Sequence, residues 1–204
     1  MRFERGKPVT KLKPLGPTQN RRGTTITFLP DHEIFGKDLH FKPARLYRMA
    51  RSKAYLFRGV EIRWSCDPSL LKDGEETPAE AVLHFPGGLA DFLSATLEKE
   101  TTVTPRPFAG RFEPKDKRGA VEWAVHWAPG RDSFVHSYAN TIPTPQGGTH
   151  DAGLRAALTK GLRGYADLSN NKRAGNVTSD DVMASVCAML SVFVRDPEFQ
   201  GQTK

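Results

Sequence analysis

The sequence predicts an α+β fold on three observations. A stretch near its middle alternates large apolar and polar residues at the strand period, and two later stretches carry helical periodicity before a final β-branched run. Third, 38% of the 204 residues are apolar, enough to build a core in one domain or two small ones. Strand, two helices and strand in that order read as a crossover unit packed on one face of a sheet.

Taken in order, residues 1 to 35 read as short strands punctuated by Gly6-Lys7-Pro8, Gly16-Pro17 and Asn20 to Gly23. The clearest is Thr24 to Phe28, β-branched and stopped by Pro30. Pro43 suits a first helical turn, and Leu46, Met49, Ala50, Ala54 and Phe57 then form a single apolar face that Gly59 ends. Val60 to Trp64 alternates as a half-buried strand, Asp67 to Thr77 is a polar loop, and Val82 to Phe85 is a second short strand. Pro86-Gly87-Gly88 permits sharp backbone angles ahead of a helix from Leu89 to Leu97, so a domain boundary is expected there, dividing the chain into residues 1–85 and 86–204.

In the second part, Thr101 to Arg118 reads as a proline-rich, charged loop. Val121, Trp123, Val125 and Trp127 then share one strand face, with Glu122, Ala124 and His126 on a polar, exposed one. Residues 128 to 132 form a turn, after which Phe134 to Asn140 is expected to pair back as the other arm of a hairpin. A long helix from about Thr149 to Leu168 should turn Leu154, Leu158, Leu162 and Tyr165 inward. Thr178 to Asp181 resembles a capping box opening a buried helix through Leu190, and Ser191 to Val194 closes the fold as a strand.

Thirty basic against twenty-three acidic residues give a net charge of +7, which suits a polyanion, either nucleotide or nucleic acid, and equally a solvated basic surface. No run of eighteen apolar residues exists, and the basic start lacks a signal peptide's apolar stretch, so a cytoplasmic location and no membrane are expected. Cys66 and Cys187 have neither CxxC nor histidine spacing and read as reduced thiols, Cys187 in the core on a helix. Neither GxSxG nor HExxH occurs and the six histidines show no ligand spacing, which argues against a hydrolase or a metal site complete within the chain.

Two strings carry more. Gly147-Gly148-Thr149-His150 opens the long helix, where unpaired backbone N–H groups and the helix dipole favour an anion; the alternative is a tight turn with Thr149 as N-cap. Gln202 and Lys204, at the end, offer one amide donor and one ammonium, the complement of a terminal phosphate, or else a solvated tail.

Tyr138, Asn140, Ile142, Thr144, Gly147, Gly148, Thr149 and His150, followed by Gly153-Leu154-Arg155 and then Gln202-Thr203-Lys204, together resemble the ATP-operated half of the B subunits of type IIA DNA topoisomerases. Residues 41–56 and 58–63 fit the topoisomerase IV branch better than gyrase B, which stays an alternative, as does a stand-alone nucleic-acid-binding module resembling ribosomal protein S5. The resemblance implies that residues 1–85 are the C-terminal portion of a GHKL ATP-binding domain and that 86–204 are a transducer domain resembling S5 domain 2. It also implies that Gln202 and Lys204 reach the γ-phosphate of ATP, that Thr24 helps bind the adenine edge, and that Arg155 points into a cavity admitting DNA. The family's magnesium-holding Asn and general-base Glu have no counterpart here, so Mg2+ ligands are expected outside this chain, and the chain alone, read as a fragment, is expected not to hydrolyse ATP. Implied partners are DNA, the topoisomerase A subunit, which completes the enzyme, plus a second B subunit, with dimerisation on ATP binding.

Overall fold

The computed structural model describes residues 1–199 except 15, 18, 21, 37–39, 73, 75, 116–118, 172, 173 and 175. The expected Gln202 and Lys204 site therefore lies outside the described residues. The chain divides into two units, Met1–Lys42 and Pro43–Lys204.

In the first unit, β1 (Phe3–Glu4) and β2 (Lys7–Pro8) form a minimal antiparallel hairpin turned by Arg5 and Gly6, both at positive φ. A one-turn helix, α1 (His32–Phe35), is capped by the Asp31 carboxylate, which accepts from the Glu33 N–H at 2.8 Å. Arg5 reaches back to Glu33 at 2.8 Å. The strand expected at Thr24 to Phe28 does not form: these residues have no regular structure, and Ile26 and Phe28 are 79% and 70% exposed. Strand propensity expresses itself only where a neighbouring strand takes up the backbone N–H and C=O groups, and no described residue pairs with this segment.

The second unit opens with α2 (Pro43–Leu56), which packs on the antiparallel pair β3 (Glu61–Ser65) and β4 (Glu80–His84). Tyr47 lies against Trp64 with ring centroids 5.6 Å apart. Helix α2 starts at Pro43 as expected, but only the C-terminal part of the expected face is covered. Ala54, Tyr55 and Leu56 are buried, whereas Leu46, Met49 and Phe57 stay exposed, because the helix is held chiefly by its C-terminal turn.

Next come α3 (Leu89–Thr96), β5 (Phe108–Phe112), β6 (Gly119–Trp127), β7 (Phe134–Ala139), β8 (Ile142–Pro143), α4 (Thr149–Leu168), α5 (Ser179–Met183) and β9 (Val186–Val194). The sheet order is β5-β6-β9-β7-β8. β6 and β7 run in opposite directions, as hairpin arms should, but they do not touch. β9 lies between them, antiparallel to β6 over nine register pairs and parallel to β7. The reason is composition: β9 reads Val-Cys-Ala-Met-Leu-Ser-Val-Phe-Val, apolar on both faces, and such a strand is most stable at the centre of a sheet. For the same reason the expected buried helix through Leu190 stops at Met183, since a short apolar run has the same periodicity signature in a buried helix and a buried strand. Cys187 is thus a core residue of a strand, fully buried, with its thiol pKa raised by burial. Strand β5 forms within the stretch expected to be loop; its Phe-Ala-Gly-Arg-Phe adds an edge to β6.

Both faces of the sheet are covered. On one, Leu89, Leu93 and Leu97 of the α3 segment join Tyr55 and Leu56 of α2 over Ala124, Tyr138, Cys187 and Met189. On the other, Leu158 of α4 and Val182 and Met183 of α5 pack on Val125, Val186 and Ala188. Each fully buried leucine contributes about 2 kcal/mol of hydrophobic stabilisation. Beyond Leu158 only Thr159 and Ala166 of α4 are buried, and Leu162 and Tyr165, expected inward, are 42% and 70% exposed.

The α2–α3 cover explains two polar residues of β6. His126, expected on an exposed face, is 3% exposed, and burial holds its pKa below the ordinary histidine value. Glu122, 8% exposed, accepts from Arg58 Nε and Nη2 at 3.0 and 2.9 Å and from the Leu89 N–H at 3.2 Å. It therefore caps α3, whose N-cap, Gly88, has no side chain to do so. A Cβ on Gly88 would stand 2.5 Å from that carboxylate oxygen, and Gly88 has φ 65°, so only glycine suits the position.

Two outcomes follow. Glu122→Ala leaves the Leu89 N–H and the Arg58 guanidinium without their acceptor and is expected to lower unfolding free energy by about 2 kcal/mol, read as a fall in denaturant midpoint. Because His126 is held neutral in the fold and titrates normally when unfolded, its contribution is complete above the unfolded pKa and is lost as pH falls below about 6.5 toward its lower folded value. Urea midpoints compared between neutral and mildly acidic pH should show that loss, and His126→Gln should reduce it.

Candidate functional site

The segment from Tyr138 to Arg155 converts the end of β7 into the start of α4. Tyr138, 8% exposed, brings its hydroxyl to within 2.6 Å of the Tyr55 hydroxyl, and burial together with this bond pushes the Tyr55 phenol well above its ordinary pKa. The Tyr55 phenol therefore stays neutral. Asn140, at φ 48°, donates its amide to the Val194 carbonyl and accepts from the Val194 N–H, both at 2.9 Å. That side chain substitutes for one further residue of ladder, so it clamps the C-terminal end of β9, the strand that leads toward Gln202 and Lys204. Thr141 receives the Lys53 ammonium on its carbonyl at 3.2 Å and its hydroxyl at 2.6 Å, tying α2 to the β7–β8 turn.

Thr144 joins the next pair. Its hydroxyl lies 2.8 Å from Ser137 Oγ and 2.9 Å from His150 Nε2, so a strand residue, a turn residue and a first-turn helix residue share one relay. Gly147 has φ 74°, and Gly148, at φ 158°, is the N-cap of α4. The expectation that Thr149 caps the helix is not met: Thr149 is already the first helical residue, and no side chain caps this end. Asp151 in the first turn supplies the negative charge that the dipole favours. Its Oδ2 pairs with Arg155 Nε at 3.3 Å, while Oδ1 is buried without a partner among the described residues.

Arg155 is therefore aimed from below. The ion pair occupies Nε; the side chain is 43% exposed, and its terminal nitrogens bond to nothing among the described residues. An aimed, half-exposed guanidinium can meet a phosphate bidentately. Thr24, by contrast, sits exposed in the first unit, with no hydrogen bond from its side chain among the described residues. No three His, Cys, Asp or Glu residues that could hold a metal come together among the described residues, and no described helix is long and apolar enough to cross a membrane.

The polar contacts made by Tyr55, Lys53 and Glu122 escaped sequence reasoning, because their partners lie 83, 88 and up to 64 residues away. Asp151 was missed as well, although its place four residues before Arg155 on one helix face is a spacing the sequence shows. If the Thr144 relay sets the start of α4, Thr144→Val should lower the melting temperature by several degrees, a loss of about 1–2 kcal/mol, and His150 chemical shifts should report its lost bond.

Comparison with known proteins places these features in a lineage. The DNA gyrase B family matches residues 88–204. The DNA topoisomerase 4 B subunit of Caulobacter vibrioides is 57% identical over 99% of this chain, and that of Bartonella bacilliformis is 53% identical over 100%. The chain spans 29% of the length of each. Among solved structures, the 43K ATPase domain of Thermus thermophilus gyrase B, determined with an aminocoumarin, superposes with a TM-score of 0.69 at 32% identity, covering 84% of this chain and 44% of that one. The α+β architecture is therefore that of the ATPase region of these subunits, and the chain belongs to the family of DNA topoisomerase IV B subunits, relatives of gyrase B.

Proposed function

We propose that this chain is the part of a topoisomerase IV-like enzyme that couples ATP binding and hydrolysis to DNA strand passage, relaxation and decatenation. The observation that carries the reading is similarity to topoisomerase 4 B subunits along the whole chain, at 57% identity. In this reading residues 1–85 end a GHKL ATP-binding domain and residues 86–204 form the transducer. A second B subunit, together with the topoisomerase A subunit, completes the enzyme, which acts in the cytoplasm.

Thr24 would help hold the adenine edge, and Gln202 and Lys204 the γ-phosphate of ATP. Mg2+ would be bound by residues outside this chain. The γ-phosphate contact would join the nucleotide to the end of β9, whose last residue Asn140 holds, and β9 is the strand on which the sheet is built. In this reading the presence or loss of that phosphate would be passed on as movement of the sheet. Arg155, kept in place by Asp151, would meet DNA in the cavity that the transducer borders.

Lys204→Ala in the full-length protein should slow ATP hydrolysis and supercoil relaxation about tenfold or more, as removal of one charge-assisted hydrogen bond of about 1.5–3 kcal/mol predicts, while ADP affinity stays close to wild type. Equal weakening of ADP and ATP binding would instead make the loop a general nucleotide clamp. Arg155→Ala should leave nucleotide binding intact and reduce DNA-stimulated turnover, with a smaller salt dependence.

A further inference from the structure

Helix α2 carries Arg45, Arg48, Arg51 and Lys53 and no acidic residue. Among the described residues, seven arginines elsewhere lie within 4 Å of a carboxylate, and none of the three on α2 does. Lys53 is engaged by Thr141, and the Arg51 guanidinium lies 4.7 Å from the centre of the Phe92 ring. Arg48 makes only a long bond, 3.4 Å, to the Ala44 carbonyl of its own helix, and Arg45 and Arg48 are both exposed. One turn apart, the two stand on the outward face of the helix.

Beside them runs a surface groove of about 550 Å³, bordered by Arg48, Arg51 and Tyr47 on α2 and floored by Leu83 and Phe85. Glu76 lines the same groove, so a small anion seated inside would meet a carboxylate as well as the two guanidinium groups. The unneutralised charge lies on the rim and outside it, along Arg45 and Arg48. That arrangement suits an extended polyanion passing over the helix better than a single phosphate held within the groove. Guanidinium forks match phosphate oxygens bidentately, and a duplex offers one charge per about 1.7 Å of axis.

We propose that the outer face of α2, through Arg45 and Arg48, is a second contact for the phosphate backbone of DNA, in addition to Arg155. The proposal rests on the DNA reading above, and it adds an element placed earlier in the chain than α4. Arginine side chains there position the duplex and read no bases.

The test is fluorescence anisotropy of a short labelled duplex titrated with this chain over a series of salt concentrations, for wild type, Arg45→Ala/Arg48→Ala, Arg45→Lys/Arg48→Lys and Arg155→Ala. With two phosphate contacts removed, the slope of log affinity against log salt should become shallower by about 1.8 in the double-alanine variant, at about 0.9 per contact, and recover in the double-lysine variant. Both altered side chains are exposed, so melting temperatures should match wild type. An unchanged slope in the double-alanine variant, alongside a shallower one in Arg155→Ala, overturns the α2 contact and keeps the DNA reading. No salt-dependent duplex binding by the wild-type chain removes both. Leu46 and Met49 flank the arginines and are exposed, so polyglutamate is titrated in parallel. Loss of polyglutamate binding with duplex binding intact assigns the face to an acidic polypeptide and overturns the proposal.

Discussion

Everything in the second unit depends on the place of one strand. β9 is apolar on both faces and pairs along its length with β6 on one edge and β7 on the other. A strand of that composition cannot lie at an edge without exposing apolar surface and an unpaired backbone row. Its centrality forces the remaining arrangement. β6 and β7 are separated, α4 and α5 cross over one face to reach β9, and the other face needs a cover of its own, which α3 and the end of α2 supply.

That second cover is joined by polar contacts as well as apolar ones, and their geometry is specific where hydrophobic contact is not. The Glu122 carboxylate accepts from the first turn of α3 and from Arg58, just beyond α2, while Tyr55 meets Tyr138 and Lys53 meets Thr141. Replacing any of these with an apolar residue of similar size would keep the burial and lose the alignment, because an unpartnered buried polar atom is costly and so only one docking position satisfies them all. The β7–β8 turn is consequently held from the side of α2 and from the side of β9, through Lys53 and Asn140. The segment that launches α4, and with it Arg155, starts from a fixed point.

The motif from Tyr138 to His150 is thus a structural device in the described residues. Its tyrosine, asparagine, threonine and histidine each bond within the fold, and its glycines shape the entry to α4. Those bonds fix the start of α4, the helix that carries Arg155, and the C-terminal end of β9. Seen from the sequence, the glycine pair ahead of a helix suited either an anion or a tight turn; in the structure the first turn carries a carboxylate of its own, Asp151.

The sequence by itself determined the α+β class, the span of α2, α3 and α4, the strand alternation of β3 and the capping box of Thr178 and Asp181, since each of these follows from local periodicity or from partners within a few residues. The family strings were legible in the same way, as contiguous runs. What only the tertiary structure decided was pairing and coverage. Whether Val186 to Leu190 is helix or strand, which strand lies next to β6, and whether His126 and Glu122 are wet or buried depend on neighbours far along the chain. So does the failure of Thr24 to Phe28 to become a strand, because a strand's hydrogen bonds are made to another segment, whereas a helix makes its own.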